Sequence, residues 1–120
     1  MREKQYKIIV TPFAEAALEA YDDYLRNELF ADQAADSWLD AFEQETISLR
    51  TFPEKHQLVE REPWRSAGVR FHPVKGQIVY YWISEERMKV YILDVIGQRM
   101  DQDKQLLKSM TAFHPEHEKE

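Results

Sequence analysis

Residues 68–97 read GVRFHPVKGQIVYYWISEERMKVYILDVIG, and this stretch decides the fold. Residues 68–74 and 77–83 are rich in β-branched and aromatic side chains, and Lys75-Gly76 between them supplies the positive φ that a tight turn needs. After a second turn, residues 89–96 are apolar on both faces, which is typical of a central strand. The stretch therefore predicts a three-stranded antiparallel meander.

The segment before the meander predicts one strand and two helices. Residues 6–10 (YKIIV) are strand-like, and Thr11-Pro12 form a helix start, with threonine as N-cap and proline at the first helical position. Apolar side chains then recur at helical spacing to about residue 51, with a break near 30–32, so two antiparallel helices are expected. Four aromatic residues sit at the periods of buried faces and are expected in the core: Trp38, Phe42, Tyr80 and Trp82.

The rest of the chain completes the predicted fold. Residues 53–65 contain two prolines and mixed charges and are predicted to be a loop with His56 exposed. Asp101 or Asp103 can cap a last helix, and residues 114–120 are expected to form a flexible tail. The order β-α-α-β-β-β-α predicts an α+β two-layer sandwich, a helical hairpin on a small antiparallel-dominated sheet, as one domain over residues 1–113.

Composition excludes several classes of protein. The chain has no cysteine, which excludes disulfides and thiolate metal sites. Its apolar stretches are strand-sized and its N-terminus is charged, so we expect a cytoplasmic protein with no membrane partner. The net charge of −6 is uneven, because residues 1–53 hold 5 Lys/Arg against 11 Asp/Glu and residues 54–99 hold 8 against 6. A protein that coats nucleic acid is therefore disfavoured, whereas a small basic site on the sheet half is allowed.

Three side chains on the sheet half are candidates for chemistry. Arg70 and His72 alternate with apolar residues and so point to one face of a strand, and Arg99 follows the last strand. Guanidinium groups beside an imidazole can bind a phosphodiester or a carboxylate while the histidine moves a proton. The alternative is a surface strand whose arginines pair with Asp94 or Glu62. No phosphate loop, nucleophile elbow or zinc motif is present, so no metal and no small-molecule cofactor is expected.

An ordered set of segments across roughly residues 6–110 resembles the RelE/ParE superfamily of toxins from type II toxin–antitoxin systems. The segments are YKIIV at 6–10, LRTFP at 49–53, GVRF at 68–71, IVYYW at 78–82 and VYILDVIGQR at 90–99. The superfamily holds two activities on one fold, and both are neutralised by a cognate antitoxin. ParE-like members poison DNA gyrase by protein contact, whereas RelE-like members cut messenger RNA on the ribosome without a metal.

The site residues that this resemblance implies are only partly present. Arg70 and His72 match basic residues on the second strand, and Arg99 matches the arginine after the fourth. Gln77 and Gln105 stand where an arginine and a C-terminal tyrosine would be expected in a nuclease. The net charge of −6 also opposes approach to a ribosome. A ParE-like toxin that binds gyrase is therefore the favoured hypothesis; an endoribonuclease with these three catalytic candidates, or a non-toxic binding module, remains an alternative.

A cognate antitoxin is the partner that the resemblance implies for both activities. The last strand and the last helix leave apolar surface that a small sandwich covers poorly, and a partner strand or amphipathic helix can be laid there. Four apolar side chains of the last helix are expected beside that groove: Leu106, Leu107, Met110 and Phe113.

Overall fold

Four strands form one mixed sheet in the order β1-β4-β3-β2 in the computed structural model, which describes residues 5–115. The strands are β1 (Lys7–Val10), β2 (Arg70–Val74), β3 (Gln77–Ser84) and β4 (Lys89–Gly97). The meander is antiparallel, whereas β1 pairs with β4 in parallel, from Lys7 opposite Lys89 to Val10 opposite Ile92. The central position predicted for the last strand is confirmed, and the α+β class with it.

The hairpin turn between β2 and β3 has the geometry that its sequence predicts. Lys75 and Gly76 have φ values of 42° and 87°, so both central residues are left-handed, as in a type I′ turn. The strand before it begins later than predicted, at Arg70. Gly68, with a φ of 85°, is the C-cap of a short helix, α3 (Trp64–Ala67), and does not belong to the strand.

Two helices follow β1 and form the predicted hairpin. They are α1 (Pro12–Asp23), continued by one wider turn at Tyr24–Glu28, and α2 (Asp32–Ser48). Thr11 is the N-cap of α1: its Oγ1 accepts from the Ala14 N–H at 3.3 Å and donates to the Ile92 carbonyl at 2.8 Å. The cap therefore also ties α1 to β4.

The first core lies between the helical hairpin and one face of the sheet. Trp38 on α2 stacks on Phe42 and meets Tyr21 of α1 edge-on, with ring centroids 5.5 and 5.2 Å apart. Its indole Nε1–H donates to the Val74 carbonyl at 2.8 Å, which fixes α2 to β2. Trp38, Phe42 and Tyr80 are buried as predicted, and Trp82 is half-buried.

A second core covers the other face of the sheet. The last helix, α4 (Gln102–Ala112), has Asp101 as its N-cap and packs its buried Leu106 there together with Trp64. Phe113 meets Trp82 and Tyr91 edge-on. The sheet is therefore covered on both faces, and both cores depend on β4, whose residues Lys89 to Ile96 are all buried.

Residues 53–65 depart from the predicted loop. They contain a 3-10 turn, Pro53–Lys55, and the first two residues of α3. Of the predicted flexible tail, residues 116–120 lie outside the described residues. No helix within residues 5–115 is long and apolar enough to cross a lipid bilayer.

Candidate functional site

Arg70 and His72 share one face of β2, as their alternation predicts, and this face lies against α2. Arg70 Nη1 donates to the backbone carbonyl of His56 at 2.6 Å. His72 Nε2 lies 3.4 Å from Glu45 Oε2, which α2 supplies. Arg70 therefore holds a loop in place through its guanidinium group, and His72 lies next to a carboxylate.

Glu45, His56 and His72 form what we call the histidine cluster. The two imidazole rings are stacked, with centroids 3.8 Å apart and planes inclined by 16°. His56 Nε2 contacts Glu45 Oε1, and Lys55 Nζ approaches the same oxygen at 3.9 Å. The prediction of an exposed His56 is wrong, since its side chain is only 12% exposed. Its loop is held by Tyr81, whose hydroxyl donates to the Pro53 carbonyl at 2.7 Å.

Burial acts on the ionisable groups of this region. Desolvation lowers the pKa of His72; the Glu45 carboxylate opposes that effect, and the neighbouring His56 and Lys55 reinforce it. Burial also raises the pKa of the Tyr81 phenol to about 12. The phenol therefore remains a hydrogen-bond donor at neutral pH, as its contact with the loop requires.

Arg99 stands apart from the other two candidates. Arg99 comes two residues after Gly97, the last residue of β4. Gly97 pairs with Gln77 of β3, and Gln77 pairs with Val74, the last residue of β2. Arg70 is four residues back along that strand, which corresponds to about 13 Å at roughly 3.3 Å per residue. The structure brings Arg70 and His72 together and leaves Arg99 at the other end of the sheet.

A groove between α1 and the start of α4 is the second candidate region, called here the α1–α4 groove. It arises because β1 pairs with β4 only as far as Ile92, so the rest of that edge of β4 borders the groove. Its volume is ≈ 710 Å³. Tyr24 and Met100 on its rim are 48% and 53% exposed. Side chains that line it include Phe13, Ala17, Ala20, Tyr24, Met100 and Gln105.

Asp94 borders this groove and is 3% exposed. Its Oδ1 accepts from the Val95 N–H at 2.8 Å, whereas its Oδ2 has no hydrogen-bond partner within residues 5–115. Desolvation raises the pKa of this carboxyl to about 6, and the hydrogen bond from the Val95 N–H offsets only part of the rise. No arginine of the described chain forms the ion pair with Asp94 that was one alternative for Arg70 or Arg99.

The four apolar residues predicted to bind an antitoxin occupy different environments. Leu106 is fully buried in the second core, and Met110 and Phe113 pack against that core. Leu107 is 58% exposed on the free face of α4.

The α1–α4 groove was missed as a site because its floor combines residues from α1 with the end of β4. Only the parallel pairing of β1 and β4 brings these segments together.

The chain resembles known proteins in sequence and in fold. Residues 8–102 match the family model of the ParE toxin of type II toxin–antitoxin systems, parDE. A chromosomal ParDE system from P. aeruginosa aligns with a TM-score of 0.62 at 16% identity, over 78% of this chain and 97% of that one. The RelBE2 toxin–antitoxin complex from Mycobacterium tuberculosis aligns with a TM-score of 0.55 at 21% identity, over 78% and 99%. No curated protein matches in sequence.

Proposed function

This chain belongs to the family of ParE toxins of type II toxin–antitoxin systems, and from that premise we propose that it acts by binding a protein target such as DNA gyrase. The observation that carries the proposal is the separation of the basic candidates. A ribonuclease that works without a metal needs several basic and acid–base groups around one phosphodiester. Here Arg70, at the start of β2, donates to the His56 carbonyl. Arg99 follows β4 and lies near the opposite end of β2.

Two further features support protein binding over RNA cleavage. Gln77 and Gln105, which stand where a nuclease would carry an arginine and a tyrosine, both line the α1–α4 groove. A net charge of −6 opposes approach to ribosomal RNA, whereas it does not hinder contact with a protein. Gyrase acts in the cytoplasm, so the proposal implies a cytoplasmic location.

A pulse of expression in a bacterial host tests this function. We expect growth arrest with double-strand DNA breaks and intact messenger RNA, both measured in the same cells, and we expect co-expression of the cognate antitoxin to restore growth. Cleaved ribosome-bound transcripts with intact chromosomes would support the endoribonuclease alternative. The absence of arrest from folded protein would support the non-toxic binding module.

We also propose that the antitoxin occupies the α1–α4 groove. The groove offers apolar side chains on its rim and a border along the end of β4. An extended segment can pair with a sheet edge while an amphipathic helix fills an apolar groove.

Replacing Ala20 by tryptophan tests the location of the antitoxin. Ala20 lies on α1, is exposed and lines the groove, so the larger ring fills the space without disturbing the core. We expect antitoxin affinity to fall at least about tenfold, since a misplaced interface side chain costs more than about 1.4 kcal/mol. Isothermal titration calorimetry measures the change. Glu19→Trp, an exposed neighbour on α1 that does not line the groove, is the control, and equal affinities for both variants would refute this location.

A further inference from the structure

The histidine cluster has no part in the proposed contacts with target or antitoxin, yet it brings three metal-binding side chains together. One ligand atom each from Glu45, His56 and His72 lies within 4.8 Å of the other two. His72 Nε2 is 3.4 Å from Glu45 Oε2. Two ligands of a tetrahedral zinc ion stand about 3.3 Å apart when the bonds are about 2.0–2.1 Å long.

The chemistry of the donor set suits a first-row transition metal. Imidazole nitrogens bind zinc, copper and nickel well, and a carboxylate oxygen completes many such sites. Without an ion, His56 and His72 compete for one carboxylate that Lys55 also approaches at 3.9 Å. A divalent cation between the three ligands requires one of the stacked rings to turn, so that the nitrogen lone pairs of both rings point at the ion together with the carboxylate. His72 is the more exposed of the two histidines, and its ring has the room to turn.

The three ligands stand on parts of the fold that other contacts hold in place. Glu45 is on α2 and His72 is on β2, and α2 is fixed to β2 by the hydrogen bond from Trp38 Nε1 to the Val74 carbonyl. The loop that carries His56 is held by Arg70 and Tyr81, which donate to the carbonyls of His56 and Pro53. These contacts hold the backbone segments that carry the ligands in place, which a preorganised metal site requires.

We propose that Glu45, His56 and His72 bind one Zn²⁺ ion, with solvent as the fourth ligand. The side chains of Glu45 and His56 are 15% and 12% exposed and that of His72 is 34% exposed, so an ion can enter from solvent on the His72 side. The ion joins α2, the loop after it and the edge strand β2. Binding therefore stabilises the folded chain and not the unfolded one.

Zinc titration of the purified chain tests the site. The chain is prepared without a histidine tag, and His114 and His117 are replaced by alanine so that the C-terminal histidines cannot bind the ion. We expect calorimetry to give one Zn²⁺ per chain and thermal melting to shift upward with added Zn²⁺. Co²⁺ in place of Zn²⁺ should give the visible absorption of a four-coordinate site.

Glu45→Gln and His72→Gln, made in the same background, remove one ligand each. We expect either change to weaken Zn²⁺ binding at least about 100-fold. Losing a contact that only orients a ligand costs about 10–100-fold, and losing the ligand itself should cost more. Glu43→Gln, also on α2 but exposed, is the matched control and should bind as the parent does. His72→Gln alters only the edge strand, so it provides the test if the Glu45→Gln chain does not fold.

Three results would overturn the proposal. The first is no binding by the parent at millimolar Zn²⁺. The second is equal binding by the parent and a folded ligand variant. The third is binding by the natural chain that disappears when only His114 and His117 are replaced, since the ion would then belong to the C-terminal histidines.

Discussion

Replacing Trp38 by alanine is expected to lower the free energy of unfolding by about 3–5 kcal/mol, the usual loss when a buried large aromatic side chain is truncated. Trp38 is 5% exposed, stacks on Phe42 and meets Tyr21 edge-on. The change also leaves the Val74 carbonyl without the indole donor, which adds to the loss. Because small domains have only about 5–15 kcal/mol of stability, the melting temperature should fall by roughly 10–20 °C.

Two variants separate the sources of this loss in urea unfolding experiments. Trp38→Phe keeps most of the packing and removes the hydrogen bond to Val74, so a loss of about 0.5–1.5 kcal/mol is expected beyond the small change in volume. Leu39→Ala, at the adjacent and 40% exposed position, should cost less than about 1 kcal/mol. If Trp38→Ala were no more harmful than Leu39→Ala, the first core would not depend on this ring.

Replacing Asp94 by asparagine is expected to stabilise the protein at neutral pH. The carboxyl has a folded pKa of about 6 against a usual value of 3.8, so the folded state prefers the protonated form. The stability that this group contributes is fully present below pH 3.8 and is lost as the pH rises through about 6. At roughly 1.36 kcal/mol per pKa unit, the shift corresponds to about 2–3 kcal/mol of stability lost when the carboxyl is ionised. Asparagine is uncharged at every pH and does not incur this loss.

The measurement is the difference in unfolding free energy between Asp94→Asn and the natural chain at a series of pH values. That difference should grow by about 2–3 kcal/mol between pH 4 and pH 7 and then stay constant. Asp40→Asn, an exposed position on α2, is the control and should change stability by less than about 0.5 kcal/mol throughout. A difference that stays flat with pH would show that Asp94 is not a desolvated carboxyl.

Local rules predict the parts of this fold that local interactions determine. Thr11 caps α1, and Lys75-Gly76 makes the turn between β2 and β3, because a hydroxyl before proline and a glycine in a two-residue turn each act within a few residues. The short helix α3 is missed because four residues give no periodicity. The glycine after it, Gly68, was a usable signal, since a left-handed glycine commonly ends a helix.

The candidate sites follow less directly from sequence because they join distant segments. The alternation of β2 puts Arg70 and His72 on one face, but nothing local indicates that His56 and Glu45 meet them there. The distance between Arg70 and Arg99 depends on the register of the antiparallel meander, which places the end of β4 beside the turn between β2 and β3 and away from Arg70. Asp94 reads as a surface partner for arginine until the packing of α4 shows that it is buried.

The pairing of β1 with β4 also governs when the protein can take shape during its own synthesis. Lys7 and Lys89 face each other across this pair of strands, so β1 cannot pair until β4 has been translated. Chains are made from the N-terminus, and contacts between distant segments form late. A nascent chain that has not yet reached β4 lacks the centre of both cores. A fragment released before β4 is translated therefore cannot form this fold.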